Sequence, residues 1–196
     1  MLRPIYLQPG DKVALISPSG IATKEQLDAA CSLLTSWELE PVPGQHVLSR
    51  HGRLAGTDEE RLHDLQTALD AEDIRAIWCM AGDYGMLRIV QEADYSIFQG
   101  NPKWVIGMND ITVLHAKLHS LGIESLHAFM PSDYNTTSPE VVTQLRNFLF
   151  GIISSYAIPT HPFNRPGIVE SEMIGGMLQW VHNLHDTCIE RNTRGT

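Results

Sequence analysis

A chain of 196 residues with 43% hydrophobic content is the size of one medium domain and can bury an ordinary core, which excludes a disordered polymer. Its formal charge of −9, with acidic and basic residues interspersed, offers no surface for neutralising phosphates, so nucleic acid and anionic membrane are excluded as partners. No run approaches the roughly 20 apolar residues of a membrane span, and the opening MLRPIYLQPGD lacks the apolar stretch of a secretory signal.

A cytoplasmic setting is therefore expected. Cys31, Cys79 and Cys188 are far apart and in no CxxC spacing, which suits buried thiols in a reducing compartment.

In chain order, the apolar run from Lys12 to Ser17 ends in Pro18-Ser19-Gly20, the pattern of a strand buried on both faces and entering a loop. Leu27, Ala30, Cys31 and Leu34 recur at helical spacing between Thr23 and Trp37, and a short strand follows at Leu39 to Val42. Thr57-Asp58-Glu59-Glu60 has the hydroxyl-to-Glu spacing that closes a helix's first turn from both sides, with Leu62, Leu65, Ala68 and Leu69 as the apolar stripe. Ile74 to Met80 reads as a strand, Ala81 to Gly85 as a glycine-containing turn and Met86 to Glu92 as a helix start. Trp104 to Gly107 is a further strand, after which Asp110 is placed to cap a helix carrying Ile111, Leu114, Leu118 and Leu121. Ile123 to Ala128 (strand), Pro139 to Phe150 (helix), Ser154 to Ile158 and Ile168 to Ile174 (strands) and Met177 to Glu190 (helix) complete the prediction.

This alternation predicts an α/β fold with a doubly wound, mostly parallel sheet, whose ligand crevice lies beyond the carboxyl ends of the strands. The turns Ser17 to Gly20, Met80 to Gly85 and Gly107 to Asp110 then share one rim. The proline-rich stretch Pro159 to Pro166 divides a domain of residues 1–158 from a segment of residues 159–196.

Trp104 to Thr112 has the layout of a strand–turn–helix elbow, the device that lifts a nucleophile out of an α/β sheet and points helix amides at the developing oxyanion. The tip is Asn109. Asn tolerates left-handed backbone better than most residues, so it fits equally well as an ordinary turn residue. A carboxamide cannot replace an activated hydroxyl or thiol.

Several segments, in order, resemble signatures of the LD-carboxypeptidases, also called muramoyltetrapeptide carboxypeptidases, a serine peptidase family that includes the microcin-immunity peptidases. They are Lys12 to Gly20, Leu54 to Arg61 with Asp64-Leu65-Gln66, Ile74 to Cys79, Gly82 to Gly85, Lys103 to Gly107 with Asp110-Ile111-Thr112, and Gly175-Gly176 with Leu178. The resemblance implies a Ser-His-Glu triad that removes a terminal D-amino acid from an L,D-linked peptide, with no metal or cofactor. It puts Asn109 at the serine position, the Asp110 backbone amide in the oxyanion hole, and Met108 where an aromatic residue is expected. The substrate turn, expected as Arg-Gly-Gly before Tyr-Gly, reads Ala81-Gly82-Asp83 before Tyr84-Gly85, and its added carboxylate would repel a peptide carboxylate. His127 matches the histidine of a turn that lines the cleft. The triad Glu and His are implied to come from a second domain beyond the Gly-Gly segment; Glu190, His182 and His185 lie too soon after it to match.

Other groups carry weaker expectations. His115 with His119, and His182 with His185, have metal-sharing spacing but no third ligand, so no metal site is expected. Ser17 and Ser19 are turn residues whose hydroxyls could donate to a ligand if one binds, and Asp110 reads most simply as a helix cap, with an acid/base or cation pair between Asp83 and Asp110 as the alternative. The resulting expectation is a degenerate LD-carboxypeptidase homologue, inactive or severely impaired, that pairs as a homodimer and takes a peptide or muropeptide ligand. A peptide-binding module, a structural remnant and a peptidase completed by another chain are the alternatives.

Overall fold

The computed structural model describes residues 1–153, 155, 159–165, 167–168 and 170–184. Strands β1 (Lys12–Ile16), β2 (Glu40–Pro43), β3 (Ile74–Cys79), β4 (Trp104–Gly107) and β5 (Leu126–His127) form one sheet in the order β2-β1-β3-β4-β5. All four pairings are parallel. The expected doubly wound α/β architecture is therefore present.

Both faces of the sheet are covered, and the strands read as continuous apolar runs for that reason. On one face Ile16, Ile77 and Val105 pack with Leu65 and Leu69 of α2 (Asp58–Asp70), Met86 of α3 (Met86–Ile89), Phe98 of α4 (Ser96–Gly100) and Leu114 of α5 (Thr112–Ser120). On the other, Leu15, Trp78 and Ile106 pack with Leu27 and Leu34 of α1 (Lys24–Ser36) and Leu145 and Leu149 of α6 (Pro139–Leu149). Trp78, in the central strand, is fully buried and still satisfies its indole by donating to Phe129 O at 3.0 Å.

The capping signal at Thr57 is realised: Thr57 Oγ1 accepts from the Glu60 amide at 3.3 Å while Glu60 Oε2 accepts from the Thr57 amide at 2.8 Å. The same box forms at Thr23 and Gln26 ahead of α1. At the far end of α2 the buried Lys103 ammonium donates to Leu69 O at 2.5 Å, placing a cation on the negative end of the helix.

Four expectations change. The strand expected at Ile123 to Ala128 shrinks to Leu126–His127, because Ile123 bridges Leu2 and the Glu124 amide donates to Leu2 O at 2.9 Å. The strand expected at Ile168 to Ile174 does not form at its described positions; Ile168 and Met173 stand almost wholly in solvent, and an extended segment without a ladder partner has no reason to stay one. The last helix, α7, covers Leu178–Asn183, with residues 185–190 outside the described set, as is nearly all of Ser154 to Ile158. Helix α4 was not foreseen; five residues before Pro102 are too few to show a helical period.

Ile77 is fully buried between α2 and α5, so Ile77→Ala is expected to cost about 2–5 kcal/mol of unfolding free energy. Urea unfolding followed by tryptophan fluorescence checks this, and a loss under about 1 kcal/mol would show that the core collapses around the gap.

Candidate active site

Strand β4 delivers the chain to Met108 in extended conformation, Asn109 turns left-handed at φ +56°, and a short 3-10 turn over Asn109–Ile111 leads into α5. This is the expected elbow. Asn109 and Glu38 are the non-glycine residues with positive φ among those described. Gly107 makes the bend possible: a Cβ there would lie 2.9 Å from the Ile111 side chain, so strand and helix approach too closely for any other residue.

The three rim turns meet as predicted. A Cβ on Gly82 would lie 2.9 Å from both Asn109 Cβ and Met108 O, and one on Gly20 would lie 2.8 Å from Gly82 O. The first turn thus rests on the second, and the second on the elbow.

A buried carboxylate locks them. Asp110 is fully buried, and its Oδ2 accepts from Ser19 Oγ at 2.5 Å and from the Met86 amide at 2.7 Å. The expectation that Asp110 caps its own helix is corrected: α5 has Ile111 at its N-cap with no side-chain cap bond. Asp110 instead serves the first amide of α3, whose own cap position is Gly85 and has no side chain to offer. Burial raises the Asp110 pKa; the bonds from Ser19 and Met86 and the Arg61 charge pull the other way, and the Asp83 charge adds to the rise. Asp83 is near enough to act on Asp110 through its charge, yet Asp110 turns its bonded oxygen inward to the two loops rather than to Asp83.

Arg61 supplies the second lock. Its side chain is fully buried on the inner face of α2, and Nη1 donates to Pro18 O at 2.7 Å and Gly85 O at 3.0 Å, while Nη2 pairs with Asp58. One guanidinium thereby ties the first rim turn to the second. Sequence reading placed Arg61 in a motif and gave it no role. The signal was its spacing, since residues 61, 65 and 68 share one helix face and an arginine in that register points inward.

The other expected site residues separate. Ser17 Oγ donates to Val47 O at 2.7 Å, and both Ser17 and Ser19 are buried, so their hydroxyl protons are committed inside the protein. Asp83 is half-exposed with Arg53 Nη2 at 3.9 Å, which offsets part of the repulsion expected from its charge. Tyr84 is 51% exposed and stacks on Trp180 of α7 at 6.3 Å between ring centroids. His127, at the end of β5, is exposed and faces a cavity of about 990 Å³ also lined by Trp104, His115, Phe148 and residues 170–176; that cavity does not include Asn109 or Gly82. His115 is a buried histidine with Nδ1 2.8 Å from Ser125 Oγ and Nε2 3.0 Å from Gly107 O, so both ring nitrogens are engaged inside the protein. Cys79 is fully buried below the rim, and burial pushes its thiol up to about 12, so it is inert as a nucleophile.

A parallel sheet that lifts a side chain on a strand–turn–helix elbow, with glycine turns packed around it, defines an α/β domain of the hydrolase type. Residues 13–128 match the LD-carboxypeptidase N-terminal domain, and the chain belongs to that family. It is 38% identical over 122 residues to the murein tetrapeptide carboxypeptidase of Pseudomonas aeruginosa, covering 61% of this chain and 40% of that protein. A Bacillus subtilis protein named "Probable murein peptide carboxypeptidase" is 30% identical over 199 residues, covering 98% of this chain and 62% of the relative. The chain spans about three fifths of the length of such curated relatives. Among solved structures, the microcin C7 self immunity protein MccF superposes with a TM-score of 0.79 at 19% identity, covering 97% of this chain and 67% of the other. The muramoyltetrapeptide carboxypeptidase of Oxalobacter formigenes gives 0.63 at 24% identity, covering 70% and 47%. At those identities the superpositions speak for the fold. No helix among the described residues is long and apolar enough to cross a membrane.

Because burial raises the folded-state pKa of Asp110, its contribution to stability is complete below the unfolded value, near 4, and is lost as pH rises through the folded value. Asp110→Asn retains an acceptor for the Met86 amide without the charge. The variant is therefore expected to gain on the wild type as pH is raised from about 4 to about 7, measured as the difference in urea midpoint. A difference that stays flat across that range would show that Asp110 ionises without penalty.

Proposed function

We propose that this chain is a degenerate LD-carboxypeptidase that binds a peptide at the rim around Gly82, Asp83 and Tyr84 without cleaving it. The observation that carries the reading is the carboxamide of Asn109 at the tip of a well-formed elbow. Acyl transfer there needs an oxygen or sulfur that can lose its proton to a neighbouring base, and a carboxamide has neither property. No side chain among the described residues hydrogen-bonds the Asn109 carboxamide, so none of them stands in place as a general base at the tip. What survives is the binding half of the machinery: the Asp110 amide following the tip, the glycine-lined turn, and the Tyr84 ring held by Trp180.

The ligand class in this proposal is an L,D-linked peptide of the murein type, by kinship with relatives whose names carry that substrate. Asp83 weakens its binding where a peptide carboxylate approaches, and the exposed Arg53 beside it partly restores the balance. Association into a homodimer belongs to the same proposal and is read by light scattering.

Two measurements test it together. Calorimetric titration with an L,D-tetrapeptide is expected to give saturable binding, tightened a few-fold in Asp83→Gly because an exposed like charge costs up to about 1 kcal/mol. Chromatography of the same mixture is expected to show no released D-amino acid, either from the wild type or from Asn109→Ser, since a hydroxyl without a base stays unactivated. Release by the wild type would sink the proposal, and release by Asn109→Ser alone would reveal a base at the tip.

A further inference from the structure

A second cluster of chemistry-bearing side chains lies away from the elbow, where the turn after β2 meets helix α2. His46 belongs to the turn, and His63 and Asp64 are consecutive on the helix. One ligand atom from each lies within 4.8 Å of the other two, and this is the one such trio of His, Cys, Asp or Glu among the described residues. We propose that His46, His63 and Asp64 bind a first-row divalent transition metal ion, zinc foremost, that clips the turn after β2 onto α2.

The donor set suits such an ion. Two imidazoles and one carboxylate form a borderline-soft set that prefers zinc and its neighbours to calcium or magnesium, which take oxygen ligands. Asp64 is buried, and its Oδ2 accepts from the His46 amide at 2.8 Å, so the backbone of one ligand residue orients the carboxylate of another. Gly44 permits this approach; a Cβ there would lie 2.8 Å from Asp64 Cγ. The second oxygen, Oδ1, faces His63 Nδ1 at 3.4 Å, and Glu60 Oε1 lies 3.5 Å from His46 Nδ1. Both separations are longer than a good hydrogen bond, so neither ring has a strong partner that a metal would have to displace.

The rings sit edge to face with centroids 5.3 Å apart. Ligand atoms around a tetrahedral zinc at about 2.1 Å stand roughly 3.4 Å apart, so the trio must close by an ångström or so. His63, with its side chain 53% exposed on the helix surface, has the freedom to do that, and its exposure gives the ion a way in. A water or Glu60 Oε1 completes the fourth position, Glu60 Oε2 being already taken by the Thr57 amide.

The consequence is structural. Val47, the next residue after His46, presents the carbonyl that holds Ser17 at the end of β1, so an ion on His46 would stiffen the turn that braces the first rim loop. None of the three ligands belongs to the rim itself.

The test uses the full chain without an affinity tag, stripped with a chelator and titrated with Zn²⁺ by calorimetry and thermal melting. Roughly one equivalent is expected to bind saturably and raise the melting temperature. His46→Gln and His63→Gln are each expected to weaken zinc binding by at least the 10–100-fold typical of losing even a supporting partner, with the metal-free melting temperature unchanged. Co²⁺ in place of Zn²⁺ is expected to give visible ligand-field absorption that both variants lose. Absence of saturable binding, or binding that neither variant weakens, would overturn the assignment.

Discussion

The rim of this protein depends on a carboxylate that never reaches solvent. Parallel topology brings the loops after β1, β3 and β4 to the same end of the sheet, but topology alone does not fix how they pack on one another. Asp110 removes that freedom by accepting hydrogen bonds from the Ser19 hydroxyl and the Met86 amide while belonging to the third loop itself. Burying such a group is unfavourable, and with Oδ1 already buried without a partner the two bonds to Oδ2 cannot be spared: moving either loop would strand the remaining oxygen as well. Arg61 acts in the same sense from beneath, since a guanidinium with its side chain fully buried must keep both carbonyls it has found.

Against that frame the elbow tip is conformationally demanding and chemically permissive. The bend requires φ near +56° at residue 109 and a glycine at residue 107, and Asn meets the first condition at less steric cost than most side chains. Among the described residues, none of the hydrogen bonds made by Ser19, Asp110 and Arg61 ends on the Asn109 side chain. The geometry of a nucleophile elbow can therefore persist in a chain whose tip carries no nucleophile, and the shape of the bend by itself is no evidence of turnover. The same separation applies at Asp83, whose carboxylate alters the charge of the rim while its neighbour Gly82 keeps the backbone contact to the elbow.

Much of this was legible in the sequence because it is written in local patterns. Apolar runs in β1, β3 and β4 bounded by glycine and proline fixed the sheet and its rim, and the Thr57–Glu60 box fixed the start of α2 to the residue. Asp110 was misassigned because its spacing mimics a helix cap, whereas its partners come from loops 91 and 24 residues away, beyond the reach of any local pattern. Ser17 and Ser19 looked available for a ligand for the same reason; which acceptor a serine finds is a tertiary fact. The His46, His63 and Asp64 cluster was invisible because the two histidines are separated by 17 residues and joined only when the turn after β2 folds against α2. At Ile168 to Ile174 a strand is expected, but a strand exists only where a neighbour offers its ladder.

A common feature makes the shape of the rim independent of most side chains at its surface. The bonds that hold the rim end mostly on backbone groups: Arg61 on Pro18 O and Gly85 O, Asp110 on the Met86 amide, Ser17 on Val47 O and Asp64 on the His46 amide. Backbone partners are present whatever side chain a position carries. The residues that must be kept are thus the few donors and acceptors reaching inward, namely Arg61, Asp64, Asp110 and the two serines, together with glycines at close approaches. Of the positions proposed above to face a ligand, Gly82 belongs to that set, while Asp83, Tyr84, Met108 and Asn109 lie outside it. A rim built this way keeps its shape whatever side chains stand at residues 83 and 109, because none of its inward bonds ends on them.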